Sequence, residues 1–548
     1  MLLVKIWFLF SLSSTVFSMR PNIVLIVADD MGWDDVGYHG SQLATPNADL
    51  LAFSGVALGR YYTHCVCTPS RAALLTGKFG HTTGMHGYPL TMGEDRGLPI
   101  NQKILPQYLK EMGYATHLVG KWHLGQSRTA YLPTSRGFDT FLGHKGGVID
   151  YYEYTAAEPV KLSLINTSPA WDIQGYVTDV YTDEAKSIIM KHNTSKPLFL
   201  MVSHNAVHSA MYDGMRLQAP PEEVRAHRYV ESQERRVFAA MLKKLDDSLG
   251  EIIESLLEKE ILENTIVIFI SDNGGMTSKD TSRNFASNWP LRGVKLTPFE
   301  GGIRVPGFLW SPNMNPLSHL WNGYMHVVDW LPTILSVVGG TPPSGIDGID
   351  QWHNIISNST SSRKEFFEIS TYTSNNVEYK FRTIVSGDFK LVTGNVDPDL
   401  SNHQGGDLRG IIGHEPPYEN VLKKSKMHSI LKRIGQPVNI KRIPKLKKKI
   451  RINCKTNITN DSLNCTKGSL CLFNIKEDPC ETKDISQENP LVVNKLLLRL
   501  LDEEARVVPR SVVYHDLRAQ PRFFNYTWSQ WADGLPVPSS PSLSLKTY

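Results

Sequence analysis

The 548-residue chain is 41% apolar and 20% charged, long enough to bury a large core and to divide into two domains. Its formal net charge of +4 is too small to mark a nucleic-acid partner. Beyond residue 18 no stretch reaches the roughly 18 to 20 uninterrupted apolar residues of a membrane span.

Residues 1–18 read as a secretory signal peptide: Lys5 is the basic region, Ile6 to Leu12 the apolar run, and Val16-Phe17-Ser18 the cleavage site. An oxidising, glycosylating route follows from it, with a lysosomal or extracellular destination. Asn166, Asn193, Asn358, Asn457, Asn460, Asn464 and Asn525 each begin a glycosylation sequon. Of the six cysteines, Cys454, Cys465, Cys471 and Cys480 crowd the rear, where two local disulfides are expected. Cys65 is then the leftover thiol if Cys67 is chemically converted.

In chain order, residues 21–28 form a near-continuous apolar, β-branched run, as a strand covered on both faces reads. It ends in Asp29-Asp30, adjacent carboxylates that repel unless a cation lies between them; the alternative is an Asx-rich turn. Thr45-Pro46 reads as an N-cap and first helical residue. In Cys67-Thr68-Pro69-Ser70-Arg71, running to Leu75-Thr76-Gly77, the cysteine falls at a helix N-terminus. Backbone N–H groups and the helix dipole favour a thiolate, alkoxide or oxyanion there, and Arg71 adds a forked charge. Taken alone, a buried cysteine opening a core helix is the simpler reading.

Helices are predicted at 105–112 and 179–191, strands at 115–119, 197–203 and 265–271, and one long amphipathic helix at 221–259. The alternation predicts an α/β fold, a mostly parallel sheet with helices on both faces and ligands beyond the carboxyl ends of the strands. At those ends stand Asp29-Asp30, Gly120-Lys121-Trp122-His123, His204 with His208, and Asp272-Asn273. Asp272 and Asn273 offer the oxygen donors calcium prefers, although Asp-Asn-Gly-Gly is also a common turn. Lys295, in a glycine-flanked loop, reads by itself as a solvated side chain.

After about residue 340 the pattern turns to short strands (366–369, 380–385, 389–392, 470–475) and a late helix at 491–503, a smaller antiparallel domain. The expected division is 1–18, a catalytic domain 19–345, and a C-terminal domain 346–548 with a basic insertion. That insertion, 423–451, holds twelve Lys or Arg and no Asp or Glu, leaving the rest of the chain at −8. It is either a solvated, flexible stretch or a dock for a sulfated polysaccharide such as a glycosaminoglycan.

The Cys-x-Pro-Ser-Arg motif with its Leu-Thr-Gly tail resembles the signature of the type I sulfatases. Gly113-Tyr114-Ala115-Thr116-His117-Leu118-Val119-Gly120-Lys121-Trp122-His123 resembles that family's other signature, and Asn288-Trp289-Pro290-Leu291-Arg292-Gly293 its arylsulfatase B, I and J branch. The resemblance covers residues 21–340 closely. It implies an alkaline-phosphatase-like fold and a sulfuric ester hydrolase whose Cys67 is oxidised to formylglycine by the formylglycine-generating enzyme. It further implies one Ca2+ held by Asp29, Asp30, Asp272, Asn273 and the modified Cys67. The sulfate would be bound by Arg71, Lys121 and Lys295, with His208 as acid for the leaving oxygen and His123 as acceptor of the second hydroxyl's proton. His204 competes for the acid role, and His117 is structural. N-acetylgalactosamine 4-sulfate in a glycosaminoglycan is the implied substrate. Where relatives carry a serine or similar polar group after Gly-Phe-Asp-Thr-Phe-Leu-Gly, this chain continues into His144-Lys145-Gly146-Gly147. Two other readings stand beside it: a phosphohydrolase of the same superfamily, and a catalytically silent polyanion-binding protein.

Overall fold

The computed structural model describes residues 20–536, apart from 157, 162, 166, 167, 170, 171, 211–215, 278–282, 315–318, 375, 403–415, 455–464 and 511–514. The signal peptide and four of the sequons (Asn166, Asn457, Asn460, Asn464) lie outside the described residues. Asn193, Asn358 and Asn525 are exposed.

A ten-stranded mixed sheet organises the chain, in the order His319–Trp321, Val56–Leu58, Gly307–Trp310, Thr265–Ser271, Asn22–Ala28, Leu198–Ser203, Ala115–Lys121, Thr140–His144, Ser163–Ile165, Ser168–Pro169. The five strands from Thr265–Ser271 to Thr140–His144 are mutually parallel. Asn22–Ala28 shows why an unbroken apolar run is required. Ile23, Leu25 and Val27 enter the core on one face, Val24, Ile26 and Ala28 the core on the other, and all six are at most 1% exposed. Helix Cys67–Thr76 packs on the first face; Pro46–Ser54, Val177–Lys191 and Gln233–Glu258 pack on the second.

A four-stranded antiparallel sheet, Glu365–Ser374, Val377–Ser386, Phe389–Asn395 and Lys467–Asn474, follows with helix Pro490–Glu504, as expected of the rear half. Cys454–Cys480 and Cys465–Cys471 are the two disulfides, and Cys65 and Cys67 are free.

Three expectations need correction. The long helix is two, Pro221–Ala226 and Gln233–Glu258. The second starts afresh at Ser232, whose side chain accepts from the Arg235 amide at 3.2 Å. Thr45 precedes its helix but caps nothing with its side chain; its hydroxyl bonds Asp49 and accepts from the Gly37 amide instead. The basic stretch is not a solvated loop. It folds into Tyr418–Lys424, Lys426–Arg433 and Ile443–Ile450, whose Met427, Ile430, Leu431 and Ile443 are fully buried against the core beside Pro46–Ser54 and Gln233–Glu258. Each such side chain contributes about 1.5–3 kcal/mol on burial, enough to fix the helices despite their charge.

Candidate active site

The carboxyl ends of the parallel strands bring almost every predicted residue into one buried cluster. At the end of Asn22–Ala28 the chain turns through Asp30, held at φ 57°, a conformation an aspartate adopts at some strain. Its amide donates to Asp272 Oδ1 at 3.2 Å, and the Met31 amide to Ser271 Oγ at 3.1 Å, so the ends of two strands are tied together. Gly120 makes the matching approach possible: its φ is +103°, and a Cβ there would meet the Ser203 carbonyl at 1.9 Å.

Three carboxylates face three cations. Lys121 Nζ is 2.5 Å from Asp29 Oδ2, and Lys295 Nζ is 2.7 and 2.9 Å from the two oxygens of Asp30. Arg71 donates twice to Asp272 Oδ2, at 3.0 and 2.8 Å, and passes Asp29 at 3.7 Å. Ser203 fixes the other arm of Arg71 at 2.5 Å. Lys295 is thus 5% exposed and ion-paired, the reverse of the solvated lysine its local sequence suggests. Burial would raise the Asp30 carboxyl, but Lys295 and His208 outweigh it and hold it below the usual range. Asp272 is raised by burial and by Asp29, with Arg71 opposing.

Cys67 is the first residue of helix Cys67–Thr76 and is 1% exposed. Burial pushes its thiol up despite Lys121 and Lys295. A stabilised thiolate, one of the outcomes that a helix N-terminus allows, is therefore not what this site favours.

The two histidines differ in the atom they leave open. His123, at φ 59°, has Nε2 2.9 Å from the Leu90 carbonyl, while Nδ1 has no partner. Since a carbonyl only accepts, the neutral ring carries its hydrogen on Nε2 and Nδ1 is free to take a proton. Burial and Lys121 hold His123 well below the ordinary range. His208 is the mirror case: Nδ1 lies 2.7 Å from the Ser209 carbonyl, and Nε2 faces Lys295 at 3.3 Å and Asp30 at 3.4 Å. Burial lowers His208 and Asp30 opposes the shift.

His204 stands elsewhere, its Nε2 3.0 Å from Ser248 of helix Gln233–Glu258, and burial lowers it to about 3. His117 bonds Thr140 Oγ1 at 2.8 Å. Sequence reasoning missed Ser203, Ser271 and Asn284, whose Nδ2 donates to the Asp30 and Val207 carbonyls. Asn284 carries no local signal; it is identified only by the fold.

Asp29 Oδ1 and Asn273 Oδ1 are buried without a hydrogen-bond partner. Two orphaned oxygens beside two further carboxylates are the donor set a hard divalent cation takes, so the predicted ligands fit calcium. Asp29, Asp30 and His208 also come within 4.8 Å of one another. An imidazole is a poor calcium donor, which leaves the oxygens as ligands and His208 beside them.

A family model described as Sulfatase matches residues 21–340. Arylsulfatase J of Mus musculus is 34% identical over 530 residues, 95% of this chain and 81% of that protein. N-acetylgalactosamine-6-sulfatase of Homo sapiens is 30% identical over 373 residues, 63% of this chain and 68% of that protein. Among solved structures, the PsFucS1 sulfatase from Pseudoalteromonas sp. superposes with a TM-score of 0.64 at 23% identity, covering 90% of this chain and 92% of that one. Ps i-CgsB gives 0.69 at 25% identity, covering 93% and 100%.

Proposed function

We propose, from the premise that the chain belongs to the sulfatase family and hydrolyses sulfate esters, that the reaction runs at Cys67 after its oxidation to formylglycine. The observation that carries this is the convergence of Arg71, Lys121, Lys295, His123 and His208 on the start of helix Cys67–Thr76, next to orphaned oxygens fit for a cation. Sulfatases generally use Ca2+ and formylglycine. Here Asp29, Asp30, Asp272, Asn273 and residue 67 would hold the ion, which when bound supplies positive charge toward the sulfate oxygens. A formylglycine hydrate would supply one hydroxyl to attack sulfur and a second whose loss of a proton would break the bond from carbon to the sulfate oxygen, releasing sulfate and restoring the aldehyde.

The chain's own residues do the rest. Three carboxylates cancel three cations, so with a divalent ion bound the site would carry a surplus of two positive charges, which would favour a sulfate monoester carrying one negative charge. Lys121, Lys295 and Arg71 are then placed to exchange part of their carboxylate contact for sulfate oxygens as charge grows on them, which is usually the largest catalytic contribution. His208 would act as the acid in its doubly protonated form, which the Asp30 carboxylate 3.4 Å away favours against burial, and would then deliver the Nε2 proton to the departing alcohol while Nδ1 stays bonded to the Ser209 carbonyl. His123 takes one at Nδ1, the tautomer being fixed by Leu90. Burial of every one of these groups keeps bulk water from competing.

The substrate is a sulfated amino sugar, on the pattern of relatives whose names include N-acetylgalactosamine-6-sulfatase; the choice of the 4-sulfate rests on the resemblance of residues 288–293 to the arylsulfatase B, I and J branch. Eleven of the twelve cations in 423–451 are exposed on the outer side of its helices, a surface suited to a glycosaminoglycan chain. The enzyme travels the secretory route, where the formylglycine-generating enzyme would act on it. Among the described residues no helix is long and apolar enough to cross a membrane. The test is turnover of an aryl sulfate by secreted protein: Cys67→Ala and prolonged chelation should each abolish it, and full activity after either would refute the assignment.

A further inference from the structure

Next to the proposed nucleophile lies a small cleft whose lining includes Thr91, Glu94, Arg96, His123, Lys145 and Gly146. It shares His123 with the catalytic cluster and takes Lys145 and Gly146 from the loop that follows strand Thr140–His144. Gly147 is needed there, since a Cβ at that position would meet the His123 ring at 2.6 Å, and a Cβ at Gly146 would meet Met92 at 2.5 Å. The loop therefore lays Lys145 against the cleft while its glycines let the backbone close on the catalytic histidine.

The cleft's charges are not balanced. Lys145 is 2% exposed, and the hydrogen bond it makes goes to a neutral acceptor, the Trp528 carbonyl at 2.7 Å. Burial brings its ammonium down to about 7. Arg96 is 7% exposed; its Nε is fixed by Glu94 Oε2 at 3.0 Å, but Nη1 and Nη2, the fork that grips oxyanions, are buried without any partner. Glu94 is in turn engaged by the amide and hydroxyl of Thr91 at 2.8 and 2.7 Å. Arg510, close enough to be lowered to about 10 by burial and by Arg96, adds a further positive charge. Glu94 thus serves Arg96 and Arg510, while Lys145 has a neutral acceptor and burial alone lowers it. Leaving guanidinium N–H groups buried and unpaired is costly unless a ligand meets them.

We propose that Arg96 and Lys145 form a subsite for a second anionic group of the substrate, a sulfate or carboxylate carried on the same sugar or its neighbour. This deepens the sulfatase reading and rests on it. A doubly charged sugar is selected over a neutral-flanked one because the second anion pairs with groups already desolvated, and the geometry of the fork favours a planar or tetrahedral oxyanion over a hydroxyl.

The test compares kcat/KM of the full-length secreted enzyme on four compounds: an aryl sulfate, a monosulfated amino sugar, the same sugar with a second sulfate, and a monosulfated disaccharide containing a uronate. We expect one of the two doubly anionic sugars to exceed the monosulfated sugar by about tenfold or more, the size of a charge-assisted hydrogen bond. That ratio should collapse toward one in Arg96→Gln and in Lys145→Met, through KM, and return only in part in Arg96→Lys, which keeps the charge and loses the fork. Which compound is preferred distinguishes sulfate from carboxylate. No preference in the wild type, or a ratio unmoved by either substitution, overturns the subsite. Failure of the wild type on the aryl sulfate itself would instead overturn the sulfatase site beneath it.

Discussion

Replacing Lys295 by methionine isolates the electrostatics of the centre. Its ammonium sits 2.7 and 2.9 Å from the two oxygens of Asp30, and neither side chain is more than 6% exposed. Without it, Asp30 keeps the Asn273 amide at 2.6 Å and a His208 held below its ordinary range, but no full positive charge in contact. Breaking one side of a buried ion pair is worth about 3–5 kcal/mol of stability. A divalent ion bound at Asp30 would restore the missing charge, so the loss should be full in chelator and should shrink to less than half in saturating calcium. Equilibrium denaturation followed by tryptophan fluorescence, with chelator and with calcium, reads both values. Turnover of the calcium-saturated variant should fall on the order of a hundredfold, because the same ammonium is the one proposed to meet the sulfate oxygens. An equal penalty with and without calcium would refute the placement of the ion at Asp30.

Asp272→Asn should release Arg71, which it holds by two hydrogen bonds, and weaken calcium affinity and kcat together; a change in one without the other would separate the two roles. His208→Gln should slow alkyl sugar sulfates more than aryl sulfates, whose leaving group needs no proton, whereas a uniform loss would remove His208 as the acid. His204→Gln should leave that leaving-group dependence intact and change stability instead. The folded histidine titrates at about 3 against an ordinary 6.5, so the unfolded chain takes up its proton first and stability falls as pH drops below about 6.5. At pH 5 that loss is about 2 kcal/mol, and the variant should lack it when unfolding is compared at pH 7.5 and pH 5. Neutralising Lys445, Lys447, Lys448 and Lys449 should raise KM for a sulfated polymer and flatten its salt dependence while a small ester responds much less; equal responses would assign these lysines to solvation only.

The site was legible where chemistry and local structure coincide in sequence. An apolar run ending in Asp29-Asp30, and another ending in Asp272-Asn273, state both a strand and its ligand end, and the parallel alternation puts such ends side by side. Lys295 and the choice between His204 and His208 were not legible from local pattern. A lysine in a glycine-flanked loop and two histidines four residues apart are distinguished only by what the fold sets opposite them, Asp30 in one case and Ser248 in the other. The same limit hid the break before Ser232, where the short Pro221–Ala226 buries no residue and the long helix starts anew, and the helices of 423–451, where the charge pattern masked apolar residues spaced to face Gln233–Glu258. That Arg96 and Lys145 line one cleft is set by the fold bringing two distant loops together, and has no signature in the sequence.

The nucleophile proposed at residue 67 depends on that residue's chemical state, since burial pushes its thiol up. Mass analysis of the peptide containing Cys67, taken from secreted protein with measured aryl sulfate turnover and treated with a carbonyl-reactive reagent, tests it most directly. We expect an aldehyde at that position in proportion to the activity. A peptide carrying only the thiol, from a preparation that turns over the ester, would contradict it.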